Sequence, residues 1–78
     1  MPKKVIVYSQ HGCMFCDQAK GYLSQKGIQF EEKDIARDAA ALVDLKALGY
    51  MTTPVIVIDG SVIVGFDADK IDSALQGS

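Results

Sequence analysis

Tryptophan is absent from this chain of 78 residues, histidine occurs once, as His11, and cysteine and proline occur twice each. Two cysteines close at most one bridge, which excludes a small scaffold stapled by several disulfides. The strongest apolar runs, Val55-Ile56-Val57-Ile58 and Val62-Ile63-Val64, are far too short to cross a bilayer, so no membrane partner is expected. Neither charge sign dominates: eight basic residues are scattered among ten acidic ones for a net charge of -2. No basic stripe forms, and nucleic acid is not an expected partner. Met1-Pro2-Lys3-Lys4 is basic, but the apolar segment after it stops at Tyr8, so no export signal is read and the cytoplasm is the expected location. Two thiols there rest reduced and cycle rather than stay paired. Repeats, low-complexity segments and linkers are also missing, which leaves residues 1–78 as one small domain, expected to act as a monomer.

What is present has a clear order. Lys4 to Tyr8 is β-branched and aromatic without polar alternation, the pattern of a buried central strand. A polar loop through Gly12 follows, and from Cys13 the period changes: Cys16, Ala19, Tyr22 and Leu23 recur at helical spacing up to a stop at Gly27. Gly21 interrupts that helix and suggests a close approach there. Ile28 to Lys33 alternates as a half-exposed strand, and Asp34 is placed to cap a helix over 36–48, with Leu42, Leu45 and Leu48 at helical spacing and Gly49 as its stop. A turn over 50–54 leads to a strand at Val55–Ile58. Asp59-Gly60 between two β-branched runs predicts a tight hairpin to an antiparallel strand at Ser61–Val64. Asp67 then reads as the N-cap of a last helix with Ile71 and Leu75 inward. The order βαβαββα, with a right-handed parallel crossover in its first half, predicts a thioredoxin-like three-layer α/β sandwich: one four-stranded mixed sheet and three helices.

Within this layout His11-Gly12-Cys13-Met14-Phe15-Cys16 carries the chemistry. A bridge across two residues closes too small a loop to stabilise a fold by much, so the pair is there to react. Cys13 falls at the N-terminal tip of a helix, where unpaired N–H groups and the positive end of the macrodipole favour a thiolate, the nucleophile of disulfide exchange. Cys16 lies one turn further in, at resolving distance. The predicted roles are attack by Cys13 on a disulfide and release of the product by Cys16. Zinc wants four ligands, and beyond two cysteines and one histidine only carboxylates remain, so no metal is expected. Thr53-Pro54 opens an otherwise central strand, and on position alone its peptide bond is as well read trans as cis.

These motifs together resemble the glutaredoxins: Val-Ile-Val-Tyr-Ser, the C-x-x-C, Thr-Thr-Pro-Val-Ile and Gly-Phe-Asp-Ala-Asp-Lys-Ile cover essentially the whole chain. The resemblance implies a dithiol–disulfide oxidoreductase acting on protein disulfides or glutathione mixed disulfides, without a bound cofactor. It implies a cis bond before Pro54 and a thiol-substrate groove that involves Phe15, Thr53, Pro54, Asp67 and Asp69. The chain departs from the family pattern at Met14 and Phe15, where Pro-Tyr is usual, at Gln10, where a basic residue is usual, and at Phe66, where a second glycine is usual and where the ring is expected to fill space beside the groove. These departures argue against tight glutathione binding. The Gly-Phe-x-x-Asp ending is similar to redoxins that take electrons from thioredoxin reductase and NADPH and pass them to ribonucleotide reductase. A third reading is an iron–sulfur or zinc carrier that uses Cys13 at a dimer interface.

Overall fold

The computed structural model describes residues 4–76. Met1-Pro2-Lys3, most of the segment read for an export signal, lie outside them, as do Gly77-Ser78. The elements run β1 (Val5–Ser9), α1 (Met14–Gln25), β2 (Glu31–Asp34), α2 (Ala39–Ala47), β3 (Val55–Ile58), β4 (Ser61–Val64) and α3 (Ala68–Gln76), the expected order. The sheet order is β2-β1-β3-β4. β1 and β2 are parallel, while β3 lies antiparallel to both β1 and β4.

Alternation along the two central strands builds two cores, one on each face of the sheet. Val5 and Val7 of β1 point to one face and meet Ala19 and Leu23 of α1, Ile56, Ile58 and Ile63 of the sheet, and Ile71 of α3. Tyr8 points to the other face and meets Ala41 and Leu45 of α2 and Val55, with Ile6, Val57 and Val62 packed around them. Helices α1 and α3 therefore cover one face and α2 the other, which gives the three layers. Leu23 and Leu45 have no solvent exposure, and truncating either to alanine is expected to cost about 2–5 kcal/mol. A polar clasp joins α1 to α3 at the rim: the Tyr22 hydroxyl donates to Asp72 at 2.6 Å, and Lys26 Nζ lies 3.0 Å from the same carboxylate.

The local signals that held are those with a specific stereochemical demand. Gly27 and Gly49 both have positive φ, at 72° and 93°. Each lets two N–H groups reach back to the last helical carbonyls: Gly27 to Ser24 and Ile28 to Leu23, Gly49 to Lys46 and Tyr50 to Leu45. That pairing ends both helices with their orphan carbonyls satisfied. Asp67 caps α3, its side chain accepting from the Lys70 N–H at 3.2 Å.

Four expectations need correction. β2 begins at Glu31 rather than Ile28, because the Ile28 N–H is committed to ending α1. Ile28 and Phe30 still pack on the first core. The cap of α2 is Asp38, which accepts from Ala40 and Ala41, while Asp34 holds a preceding turn through the Ala36 N–H at 2.8 Å. The helix is therefore shorter at its start, and Leu48 is its C-cap, exposed to solvent. β1 extends through Ser9, which is buried. A β-carbon on Gly21 would meet nothing within 4 Å, so no close approach explains that glycine.

Candidate active site

The loop after β1 turns through Gly12 (φ 79°) and delivers Cys13 as the N-cap of α1, with φ −91° and ψ 110°. Extended backbone at this position aims the side chain back over the first turn. The usual capping atom is an oxygen; here Cys13 Sγ accepts the Cys16 N–H at 3.2 Å. The Cys13 N–H is anchored to the Gln10 carbonyl and its C=O accepts from Asp17, each at 3.2 Å. The thiol is thus fixed at the positive end of the helix, half-buried, while Cys16 is fully buried one turn in.

These surroundings separate the two thiols. Burial by itself pushes the Cys13 thiol up, but hydrogen bonds from Cys16, the Thr53 hydroxyl and the Phe15 backbone favour its anion, and the balance lies below the ordinary thiol range. Burial also pushes Cys16 up, and its thiol proton is held further by Cys13; the Gln10 backbone and Thr53 only partly offset this. Two chemically identical groups three positions apart are therefore shifted in opposite directions. Such divergence marks reacting groups.

Thr53 Oγ1 lies 3.8 Å from Cys13 Sγ across the site, and the Thr53–Pro54 peptide bond is cis. The Thr53 N–H and C=O have no hydrogen-bond partner among the described residues. Pro54 is buried, and its carbonyl accepts from Gly65 at 2.8 Å, which brings the 65–67 loop against the proline. Phe15 is exposed beside the nucleophile.

The remaining predicted residues are placed differently. Asp67 sits at the start of α3, its carboxylate engaged in capping. Asp69 lines an open groove of about 410 Å³ with Ser61, Ile63 and Ser73, between α3 and β4. Phe66, expected to fill space beside the groove, packs its ring edge-on against Tyr22, with centroids 5.7 Å apart, and joins the first core. A large apolar side chain next to that core gains more from burial there than from lying in a wet groove.

Two features were not read from the sequence. Met51, in the loop two residues before Thr53, is 72% exposed, and Met14, the first residue of α1, is 70% exposed, so thioethers stand close to the site in sequence on both of its sides. Ser9 Oγ donates to Glu32 at 2.8 Å, and Lys20 Nζ lies 2.7 Å from the same oxygen, tying α1 to the edge strand. The Lys20 ammonium and the Ser9 hydroxyl hold the Glu32 carboxyl below its usual range. A lone serine ending a β-branched strand gives no signal of this network. Among the described residues, no three His, Cys, Asp or Glu side chains gather where they could hold a metal ion.

Comparison with known proteins agrees with the geometry. The Glutaredoxin family model matches residues 5–63. An uncharacterized glutaredoxin-like 8.6 kDa protein encoded in a rubredoxin operon of Clostridium pasteurianum is 35% identical over 71 residues, covering 90% of this chain and 95% of that protein. Glutaredoxin 3 of Escherichia coli strain K12 is 39% identical over 64 residues, covering 81% of this chain and 77% of its own length. The structure of the glutaredoxin-like NrdH-redoxin from Escherichia coli superposes with a TM-score of 0.81 at 26% identity, covering 88% of this chain and 91% of that one. With the thioredoxin-like sheet, the cysteine pair and these relatives together, the chain belongs to the glutaredoxin family of thiol–disulfide oxidoreductases.

Proposed function

We propose that this chain is a cytoplasmic dithiol electron carrier in which Cys13 attacks and Cys16 resolves. The observation that carries the reading is the capping of α1 by Cys13 Sγ, with Cys16 buried behind it. The Cys13 thiolate attacks one sulfur of a target disulfide and the other leaves as a thiolate that takes up a proton. Cys16 then gives up its proton and attacks Cys13 Sγ. The target's second thiol departs and the chain is left with a Cys13–Cys16 disulfide, so two electrons and two protons have passed to the target. Burial first, and then the neighbouring Cys13 thiol, push the Cys16 thiol up, and the mixed disulfide removes the Cys13 part of that bias. The free N–H and C=O of Thr53 suit an extended segment of the target laid beside the cysteines. Phe15, Pro54, Asp67 and Asp69 are proposed to border that path. One chain supplies every group the exchange needs, and no bound cofactor enters it.

The return of the disulfide to the dithiol distinguishes two electron sources, glutathione and a thioredoxin reductase fed by NADPH. A reductase-fed donor, serving an enzyme such as ribonucleotide reductase, is favoured by the exposed, uncharged Met14, Phe15 and Met51 and by neutral Gln10, which together suit a protein surface better than a small tripeptide with two carboxylates. The test is to oxidise the protein and follow NADPH consumption with glutathione plus glutathione reductase, and separately with thioredoxin reductase. Faster turnover with thioredoxin reductase is the expected result. Efficient turnover by glutathione alone would reverse the preference, and no turnover with either would remove the carrier role.

A further inference from the structure

The two edges of the sheet are built oppositely. β2 is Glu31-Glu32-Lys33-Asp34, charged at every position, which is a common protection against strand pairing between molecules. β4 is Ser61-Val62-Ile63-Val64, with no charge and no proline, and lies at the other edge of the sheet. Val64 is 44% exposed there. The hairpin fixes which backbone groups of β4 face outward. Asp59 and Gly60 both have positive φ, at 51° and 94°, and the two-residue turn makes Ile58–Ser61 a hydrogen-bonded pair. The same alternation makes Ile56–Ile63 such a pair, and the Gly65 N–H on the Pro54 carbonyl continues it. Val62 and Val64 therefore turn their N–H and C=O away from β3, into solvent.

We propose that this edge pairs with the same edge of a second copy of the chain. A two-fold axis perpendicular to the sheet through Ile63 sets Ile63 opposite Ile63 of the second copy and Val62 opposite its Val64. Each Val62–Val64 pair exchanges both backbone hydrogen bonds, and the sheet becomes continuous across the two molecules. On one face the half-exposed Val64 gains a β-branched neighbour directly across. On the other face the α3 helices approach along the groove that holds Asp69 and Lys70. These adjacent, oppositely charged side chains make no ion pair among the described residues. Two-fold apposition brings Asp69 of one copy to Lys70 of the other, and the reverse, so the seam is complementary to itself in charge as well as in hydrogen bonding. Antiparallel pairing sends the two Cys13 sites to opposite ends of the joined sheet, where each stays open. Four residues of edge make the association weak.

The test is sedimentation equilibrium of the intact chain from micromolar to millimolar concentration, under reductant so that Cys13 cannot form an intermolecular bridge. Amide exchange is followed over the same range. The average mass is expected to rise from 8.4 kDa toward twice that value, with the Val62 and Val64 amides gaining protection as it rises. Val64→Lys is expected to remove the rise. Lys70→Asp is expected to weaken association by about tenfold, the scale of two surface ion pairs lost. The double exchange Asp69→Lys with Lys70→Asp should restore it. A mass constant at 8.4 kDa overturns the proposal, as does association that leaves the Val62 and Val64 amides unprotected. The exchange measurement needs no variant to fold.

Discussion

Cys13 and Cys16 are separated by less than one helical turn, yet one is held toward its anion and the other toward its neutral thiol. The difference is not in the residues but in their position relative to the end of α1. Cys13 caps the helix from outside, receives an N–H and remains half-buried; Cys16 lies inside the first turn with no exposure at all. A helix terminus thus turns two equivalent side chains into a nucleophile and a reserve.

Breaking the pair one residue at a time gives the largest expected effect. Cys13→Ser removes the only favoured thiolate, and reduction of a protein disulfide is expected to fall to the uncatalysed background. Cys16→Ser leaves the attack intact but not the release, so a mixed disulfide through Cys13 should accumulate and be visible by intact mass. Full reductase activity in Cys13→Ser would reverse the assigned roles.

The protonation preferences should also appear in stability, with opposite signs. In reduced Cys16→Ser only the Cys13 thiol remains, depressed in the folded state. Its contribution is fully present above the unfolded-state value of about 8.5 and is lost as pH falls through the folded-state value. In reduced Cys13→Ser only Cys16 remains, raised by burial, and its contribution is present below about 8.5 and lost as pH rises through its folded-state value. Urea unfolding of the two variants at about pH 6 and about pH 9 should therefore shift in opposite directions relative to a Cys13→Ser, Cys16→Ser control. Parallel shifts would show that the helix end does not separate them.

This contrast was legible in the sequence because its causes are local. Gly12 before the pair, helical spacing after it and Gly27 at the far end place a helix start at the cysteines without knowledge of the tertiary fold. The Asp59-Gly60 hairpin and the Asp67 cap were readable for the same reason. What could not be read depends on competition between partners far apart in the chain. Asp34 and Asp38 both have capping chemistry, and only the pairing of β2 with β1 through Asp34 decides that Asp38 begins α2. Phe66 could turn toward the groove or the core, and Tyr22, 44 positions earlier in the sequence, decides that. The placement of Asp67 and Asp69 is of this second kind: one carboxylate is occupied with a cap and the other lines the groove between α3 and β4.

A milder change asks whether the scaffold and the thiols are separable. Gly21 lies within α1, two turns below Cys13, with open space where a β-carbon would be added. Gly21→Ala is expected to stabilise the chain by about 1 kcal/mol, read as a rise in Tm of about 4–8 °C. The alkylation rate of Cys13 should be unchanged, because the helix end already provides its N–H donor. An unchanged Tm would mean that the exposed interior of α1 contributes little to global stability.

The smallest effect bears most directly on what distinguishes the two thiols. The Thr53 hydroxyl favours the anion of both Cys13 and Cys16, across a contact to Cys13 Sγ of 3.8 Å. A hydrogen bond that long to sulfur belongs at the weak end of the range, about 0.5 kcal/mol. Thr53→Val keeps the shape and removes the donor. Iodoacetamide titration of the variant should show the Cys13 midpoint moving up slightly while remaining below the ordinary thiol value. Cys16 should move the same way, since it loses the same partner, and the gap between the two should persist. Persistence would assign the gap to the helix end, which no cross-strand residue supplies. If Thr53→Val instead brought Cys13 up to the ordinary thiol value, the loop opposite would be the source of its reactivity, and the N-cap geometry would only hold the sulfur in place.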